Sequence, residues 1–173
     1  AHLILPSHRL LDLALERSKG NQKIGSTLKG IGPTYTDKVA RHGLRTGDIL
    51  LSDFQEKYKK LKERHFALLN TYGLNIEAEK IDGLSFDEYE TKWMEAVEHF
   101  KSMKLIDSEN FINAQLKANK KVLAEGAQGT LLDLDFGSYP YVTSSNTITA
   151  GVCSGLGIAP SKINRVYGVF KAY

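Results

Sequence analysis

The chain has little cysteine and no long apolar run. Cys153 is the only cysteine among 173 residues, which excludes an internal disulfide framework and a zinc site built on several thiolates. A reducing cytoplasm is therefore the expected compartment. No stretch approaches the ~18 apolar residues of a membrane span, and the N-terminus, AHLILPSHRLLD, lacks the basic region and cleavage site of a signal peptide. It also lacks an initiator Met, so we expect a fragment of a longer protein.

Charge is spread unevenly along the chain. The net charge is only +3, but residues 17–45 contain seven Lys or Arg and one acid, Asp37, which gives +6 in this segment and −3 in the rest. A segment this basic suits an anionic partner such as a phosphate, a nucleotide or a nucleic acid, or it forms a solvated basic surface. Hydrophobic residues make up 42% of the chain and charged residues 25%, which is typical of a globular domain with a core.

Three short segments have the composition of β-strands. Each is a brief run rich in apolar or β-branched residues, and they lie at 2–5, 121–125 and 165–173. Helical patterns separate them, and the order strand, helices, strand, helix, strand is typical of parallel strands with helical crossovers. We therefore predict an α/β fold, with part of a mostly parallel sheet covered by helices and a helical insertion in the middle.

The helical insertion is predicted over about 52–120. Ser52 with Gln55 has the spacing of a capping box, and so does Ser85 with Glu88. Each pair is followed by apolar residues that recur every three or four positions, so each predicts the start of an amphipathic helix.

The loop GSTLKGIGP, residues 25–33, could bind phosphate. Its glycines let backbone N–H groups approach a ligand, and its Ser, Thr and Lys side chains can bind phosphate oxygens. A short helix predicted over 34–42, with Pro33 in its first turn and Gly43 at its end, would add the positive end of its dipole. The loop has neither the Walker pattern nor the dinucleotide pattern, so an ordinary flexible loop remains an alternative.

Two further segments are rich in polar groups that could bind a nucleotide. EGAQGT, at 125–130, follows a predicted strand, where ligands of open α/β sheets bind, and the Gln128 amide can read a purine edge. It could equally form a turn in which Gln128 satisfies the backbone. YPYVTSSNT, at 139–147, offers several hydroxyl groups that either bind phosphate or cap the next helix.

Acidic residues and histidines give weaker signals. Asp133 and Asp135 would share one face of a strand, so they either bind magnesium or cap a turn, and we favour the turn. The histidines show no metal-ligand spacing, and no Ser-His-Asp constellation is indicated. His65 falls on the apolar stripe of its helix and is expected in the core or at its boundary.

Taken together, three motifs closely resemble the adenylosuccinate synthetase family. They are GIGPTYTDKVAR within 25–48, and EGAQGTLLD and YPYVTSSNT within 123–147, in the family's order. The resemblance extends through ILPSHRLLD and VYGVFKAY near the two ends and is only generic over 52–120. Many members have Gly-Arg where this chain has Leu28 and Lys29, so we expect a stiffer loop here and leave the role of Lys29 open.

The resemblance implies roles for four residues in binding inosine monophosphate (IMP). Thr27 and Thr143 would bind its 5′-phosphate, and Gln128 would hydrogen-bond near the 6-oxygen of the base and could stabilise that oxygen during the reaction. Arg41 would reach across a homodimer to the IMP of the neighbouring subunit.

The resemblance also implies an activity. The family is a ligase that makes adenylosuccinate from IMP and L-aspartate with GTP hydrolysis and Mg²⁺, in purine (AMP) biosynthesis. The IMP-binding loops would be 21–45 and 123–147. The GTP loop with its catalytic Asp and His would precede residue 1 and the aspartate-binding loop would follow residue 173, so no catalytic residue, metal ligand or GTP ligand is assigned, and the isolated chain is expected to be inactive.

Two other classes of function stay open from the residues alone. One is a stand-alone nucleotide- or RNA-binding module that uses the basic loop, although no aromatic-studded sheet favours a nucleic-acid partner. The other is a helical interaction domain built on 52–120. No membrane partner is expected.

Overall fold

The computed structural model describes residues 1–172, which belong to two compact units. The first unit is Ala1–Leu105, and the second begins at Ile106. Among the described residues, four α-helices lie in the first unit and two in the second. No helix in this part of the chain is long and apolar enough to cross a membrane.

Helix α1 lies at the centre of the first unit, since it contacts each of the other three helices. The helices are α1 (Pro6–Ser18), α2 (Ile31–Ala40), α3 (Phe54–Thr71) and α4 (Phe86–Lys101). Single helical turns lie between them at Gly20–Gln22, Thr46–Leu50 and Ile76–Ala78.

Two apolar clusters form the core of this unit. The buried members of the first are Leu5, Leu44, Ile49, Phe54, Tyr58, Leu61 and Val97. Those of the second are Leu10, Leu11, Ala14, Leu69, Leu74, Ile81 and Phe86. Helix α3 contributes to both clusters, because its apolar residues recur at helical spacing along one face.

The second unit consists mostly of loops. Its helices are α5 (Ser108–Lys117) and α6 (Ala150–Leu156), which contact each other, with single turns at Thr130–Leu132 and Pro160–Lys162. Among the described residues from 106 onward, only Asp133 is buried. Large apolar side chains such as Val169 and Phe170 are almost wholly exposed.

The predicted parallel sheet is wrong for the described residues. The structure is 53% helical with 2% strand, and β-pairing among residues 1–172 is limited to the isolated bridges His2 with Arg45 and Ile81 with Leu84. A strand is stable only when a neighbouring strand pairs with its N–H and C=O groups. The predicted strand 2–5 lies in the first unit, whereas 121–125 and 165–172 lie in the second and pair with no strand among residues 1–172. Tyr173, the last residue of the third prediction, lies outside the described residues.

Local capping signals predict one helix start correctly and another incorrectly. Ser85 caps α4 as predicted, because its Oγ accepts from the Glu88 N–H while the Glu88 carboxylate accepts from the Ser85 N–H. Ser52 does not cap α3, which begins at Phe54 after Asp53. The buried Phe54 belongs to the first apolar cluster, so tertiary packing sets this start.

Helix α2 has the predicted proline but a different end. Pro33 lies in its first turn, as expected. The helix ends at Ala40 instead of at Gly43, because Arg41 adopts a left-handed conformation with φ of 64°. The N–H groups of His42 and Gly43 then both bond to the Asp37 carbonyl.

Candidate functional site

The glycine-rich loop that carries Thr27 is anchored to α1. Asp12 accepts from the Ser26 hydroxyl at 2.7 Å and from the Gly30 N–H at 2.9 Å. One turn further along α1, Glu16 accepts from the Gly25 N–H at 3.1 Å. Thr27 itself is exposed on this anchored loop, and its hydroxyl has no hydrogen-bond partner among residues 1–172.

The departure at Leu28 and Lys29 has a structural consequence. Leu28 has φ of 56°, a left-handed conformation that glycine adopts far more readily than leucine. Its carbonyl accepts a hydrogen bond from Arg9 Nε at 3.1 Å, which holds this backbone in place. Lys29 pairs with Asp82 at 3.7 Å, and the same carboxylate binds Arg9. Lys29 is therefore linked to the body of the unit.

Arg41 is exposed at the left-handed end of α2. Its side chain has no hydrogen-bonded or ionic partner among residues 1–172. It lines a hollow of about 370 Å³ together with His42, Lys57, Lys60, Arg64 and one acid, Asp48, so basic side chains predominate there. Lys57 and Lys60 form ion pairs with neighbouring carboxylates. Arg41 forms none among residues 1–172, so it can bind an anion from outside.

Gln128 and Thr143 lie together in the second unit. The Gln128 Nε2 group donates to Thr143 Oγ1 at 3.2 Å, across 15 positions of sequence. Gln128 has φ of 65°, an uncommon backbone conformation for a residue with a side chain. Two of the four residues predicted from the sequence, one from the segment 125–130 and one from 139–147, are therefore in contact. Thr27 and Arg41 both belong to the first unit.

Asp133 organises the loop that carries Thr143. Its Oδ1 accepts from the N–H groups of Asp135 and Phe136 at 2.9 and 3.1 Å, and its Oδ2 accepts from those of Thr147 and Ile148 at 2.7 and 3.2 Å. Burial raises the pKa of this carboxyl, but the backbone N–H groups outweigh burial and lower it overall.

The two aspartates hold loop structure together, and Asp133 has no oxygen free for magnesium. Both oxygens of Asp133 are already surrounded by N–H donors, and Asp135 accepts from the side-chain amide of Asn146 at 2.6 Å. Asp133 caps turns on both sides of the loop, which is the role that we favoured from the sequence.

A buried polar network in the first unit was not predicted. Asp37 Oδ2 accepts from His8 Nε2 at 2.8 Å and from His65 Nε2 at 2.7 Å, and His65 Nδ1 bonds to the Ser7 hydroxyl at 2.7 Å. Ser7, His8 and His65 are fully buried, so a substrate does not reach this serine. The only sequence signals were His65 on an apolar stripe and Asp37 as the single acid of a basic segment.

The protonation of this network is fixed by its hydrogen bonds. His8 Nδ1 accepts from the Leu5 N–H at 2.9 Å, so the proton of the neutral ring is on Nε2 and is donated to Asp37. Burial lowers the pKa of His8. Burial alone would raise the pKa of Asp37, but the hydrogen bonds from His65 and His8 lower it far below its usual range.

The side chains of His8, Asp37 and His65 do not form a metal centre, although their ligand atoms lie within 4.8 Å of one another. A neutral histidine that binds a metal through Nε2 carries its proton on Nδ1. In His8 that proton would point at the Leu5 N–H. The cluster is therefore a hydrogen-bonded link between α1, α2 and α3.

Comparisons with known proteins identify an enzyme class and then a family. Curated relatives of this chain are synthetases, and the sequence model of the adenylosuccinate synthetase family matches residues 1–173. The chain belongs to the adenylosuccinate synthetase family. The resemblance drawn from the three motifs is thereby confirmed at the level of the family.

Individual relatives are similar over the whole chain. The adenylosuccinate synthetases of Flavobacterium johnsoniae and Porphyromonas gingivalis are each 58% identical over 173 residues, which cover 40% and 39% of their lengths. A solved structure of fully ligated adenylosuccinate synthetase from Plasmodium falciparum is similar with a TM-score of 0.75 and 36% identity, covering 95% of this chain and 37% of that one. The chain thus spans about two fifths of the length of these relatives.

Proposed function

We propose that the chain is the IMP-binding part of an adenylosuccinate synthetase, a cytoplasmic homodimeric ligase that joins IMP to L-aspartate with GTP hydrolysis in purine biosynthesis. Family membership over all 173 residues supports this proposal. The observation that carries it is the hydrogen bond between Gln128 and Thr143, because it shows that the two polar loops at 125–130 and 139–147 lie next to each other at these residues.

Gln128 and Thr143 contact opposite ends of IMP in this proposal. Gln128 donates to the 6-oxygen of the base, and Thr143 binds the 5′-phosphate. Because Gln128 Nε2 and Thr143 Oγ1 lie 3.2 Å apart here, the proposal requires that IMP break their hydrogen bond when it binds between the two side chains. Thr27 is the second phosphate ligand, and its exposure on an anchored loop suits that role.

The chemical contribution of Gln128 is electrostatic. In the proposed reaction N1 of the IMP base loses its proton and the 6-oxygen attacks the γ-phosphorus of GTP, which releases GDP. The amine of aspartate then displaces inorganic phosphate from the base and loses a proton. Negative charge develops on that oxygen in the first step, so an amide N–H aimed at it stabilises the transition state more than the ground state.

GTP and Mg²⁺ have no assigned ligands in the described residues. The oxygens of Asp133 are taken up by N–H groups, and the His8 tautomer opposes a metal ion. On the family resemblance we expect GTP and Mg²⁺ to bind elsewhere in the enzyme, and we expect the 173 residues alone to make no adenylosuccinate.

Arg41 acts across the homodimer in this proposal. An exposed guanidinium without a partner among residues 1–172 can bind the phosphate of a neighbouring subunit's IMP through two parallel hydrogen bonds. The left-handed backbone at Arg41 breaks α2, which directs the chain away from the helix at this residue.

The test uses a chimera in which the 173 residues replace the matching part of the Flavobacterium johnsoniae relative. We expect this chimera to make adenylosuccinate, and Arg41→Leu to raise the KM for IMP with little change in the KM for GTP. Lys59→Leu, which removes an exposed cation from α3, is the matched control. An inactive chimera, or an IMP dependence that Arg41→Leu leaves unchanged, would contradict the proposal.

A further inference from the structure

We infer that Asp133 is a positioning residue for the IMP site, which holds the backbones of Gln128 and Thr143 in place without contacting the substrate. The inference rests on the proposed function. Asp133 is fully buried, although the rest of the described second unit is largely open to solvent. A buried carboxylate in an open unit is costly unless it is fully hydrogen-bonded, and this one is.

The carboxylate of Asp133 joins two segments of chain. One oxygen binds the N–H groups at 135 and 136, which follow it directly, and the other binds those at 147 and 148, which lie beyond the Thr143 loop. All four hydrogen bonds have an ionised carboxylate as acceptor, and such bonds are stronger than those between neutral groups. Asp133 thus closes the loop 137–147 at its base.

Two further hydrogen bonds connect the closed loop to the segments that carry Gln128 and Thr143. The Thr143 N–H donates at 2.8 Å to the carbonyl of Leu132, the residue that precedes Asp133 in the chain. The Thr147 hydroxyl donates to the Gly129 carbonyl at 2.7 Å, next to Gln128. Both site residues are therefore one bond away from backbone that Asp133 holds.

The backbone is closely packed where the loop leaves Asp133. A Cβ atom added at Gly137 would collide with the carbonyl oxygens of Leu131 and Asp133. The left-handed backbone of Gln128 also needs surrounding contacts to hold it, because isolated residues of this kind avoid that conformation. Two of these contacts come from the loop that Asp133 closes, namely the bond of the Gln128 amide to Thr143 and that of the Gly129 carbonyl to Thr147.

The test is Asp133→Asn in the chimeric enzyme described above. The amide NH₂ group would face one of the two pairs of backbone N–H groups, so the loop would shift while the volume stays the same. We expect the KM for IMP to rise about tenfold or more while the KM for GTP stays within about twofold. Asp107→Asn is the control, since it makes the same change at an exposed carboxylate with one side-chain partner, Asn110.

The KM for IMP distinguishes a positioning role of Asp133 from a purely structural one. A purely structural role would lower the amount of active enzyme and leave the KM for IMP unchanged in the molecules that fold, and that result would overturn the inference. If Asp133→Asn does not fold, Thr147→Val removes only the bond to Gly129, and an unchanged KM for IMP in that variant would overturn the inference as well. Thr143→Val tests the proposed function itself: a raised KM for IMP there, with none in Asp133→Asn, rejects the positioning role alone.

Discussion

Replacing Asp37 by alanine should destabilise the first unit more than any single exposed substitution. The change removes the acceptor of two buried donors, His8 Nε2 and His65 Nε2. His65 can move its proton to Nδ1 and donate to Ser7 instead, whereas His8 is prevented from doing so by the Leu5 N–H. Asp37→Ala therefore leaves at least one buried N–H without a partner.

The magnitude follows from these bonds. Each buried donor left without a partner costs about 1–3 kcal/mol, and the relief available to His65 lowers the sum for two donors to roughly 3 kcal/mol. Asp37→Asn keeps a neutral oxygen at the same place, so each of the two bonds weakens by about 1 kcal/mol, for a total near ~2 kcal/mol. The alanine variant should thus be the less stable of the two.

The assay is chemical denaturation at neutral pH, followed by tryptophan fluorescence. Trp93 is the only tryptophan, and its Nε1 donates to the Ile4 carbonyl at 2.9 Å, so the signal reports the first unit. Asp53→Ala, which removes an exposed carboxylate paired with Lys57, is the control and should change stability little. An alanine variant at Asp37 that is as stable as this control, or more stable than Asp37→Asn, would refute the reasoning.

Three further results are expected from the same unit. The free energy of unfolding should fall as the pH drops below about 6.5, because the pKa of His8 is lowered in the folded state and the unfolded chain takes up the proton first; His8→Gln should flatten this slope, and an unchanged slope would be contrary evidence. Gly30→Ala should lower the free energy of unfolding by about 1–3 kcal/mol, since a Cβ at this position lies 3.0 Å from the Cβ of His8. Gly25→Ala, at a similar positive φ but with open space around it, should lower it by only about 1 kcal/mol. Equal losses of stability in a denaturation series would count against close packing at Gly30. Ser85→Ala should cost about 1 kcal/mol and Ser52→Ala almost nothing, because only Ser85 caps a helix; the same denaturation assay decides between this and an equal loss at both serines.

Local signals in this sequence predict local structure. Ser85 and Glu88 are three residues apart, and the bonds between them form within one turn, so the sequence alone identifies the start of α4. Ser52 carries the same signal, but the burial of Phe54 overrides it. The parallel sheet fails for a related reason, since an apolar run becomes a strand only where another strand pairs with it.

Contacts over long sequence separations follow no pattern that periodicity reveals. Ser7 and His65 are 58 positions apart, so no spacing rule links them, and their network was missed. Gln128 and Thr143 were placed in one site by the family resemblance, because their spacing alone left each with an ordinary structural alternative. Asp133 was expected to cap a turn, but its bonds to both ends of the loop are visible only in the structure.

The most direct test of the IMP site is a kinetic comparison of two variants in the chimeric enzyme. We predict that Thr143→Val raises the KM for IMP, that Gln128→Ala mainly lowers kcat, and that neither changes the KM for GTP. The first result reflects lost phosphate binding, and the second reflects lost stabilisation of the reacting oxygen. A Gln128→Ala enzyme with full turnover and only weakened IMP binding would contradict the placement of that amide at the 6-oxygen.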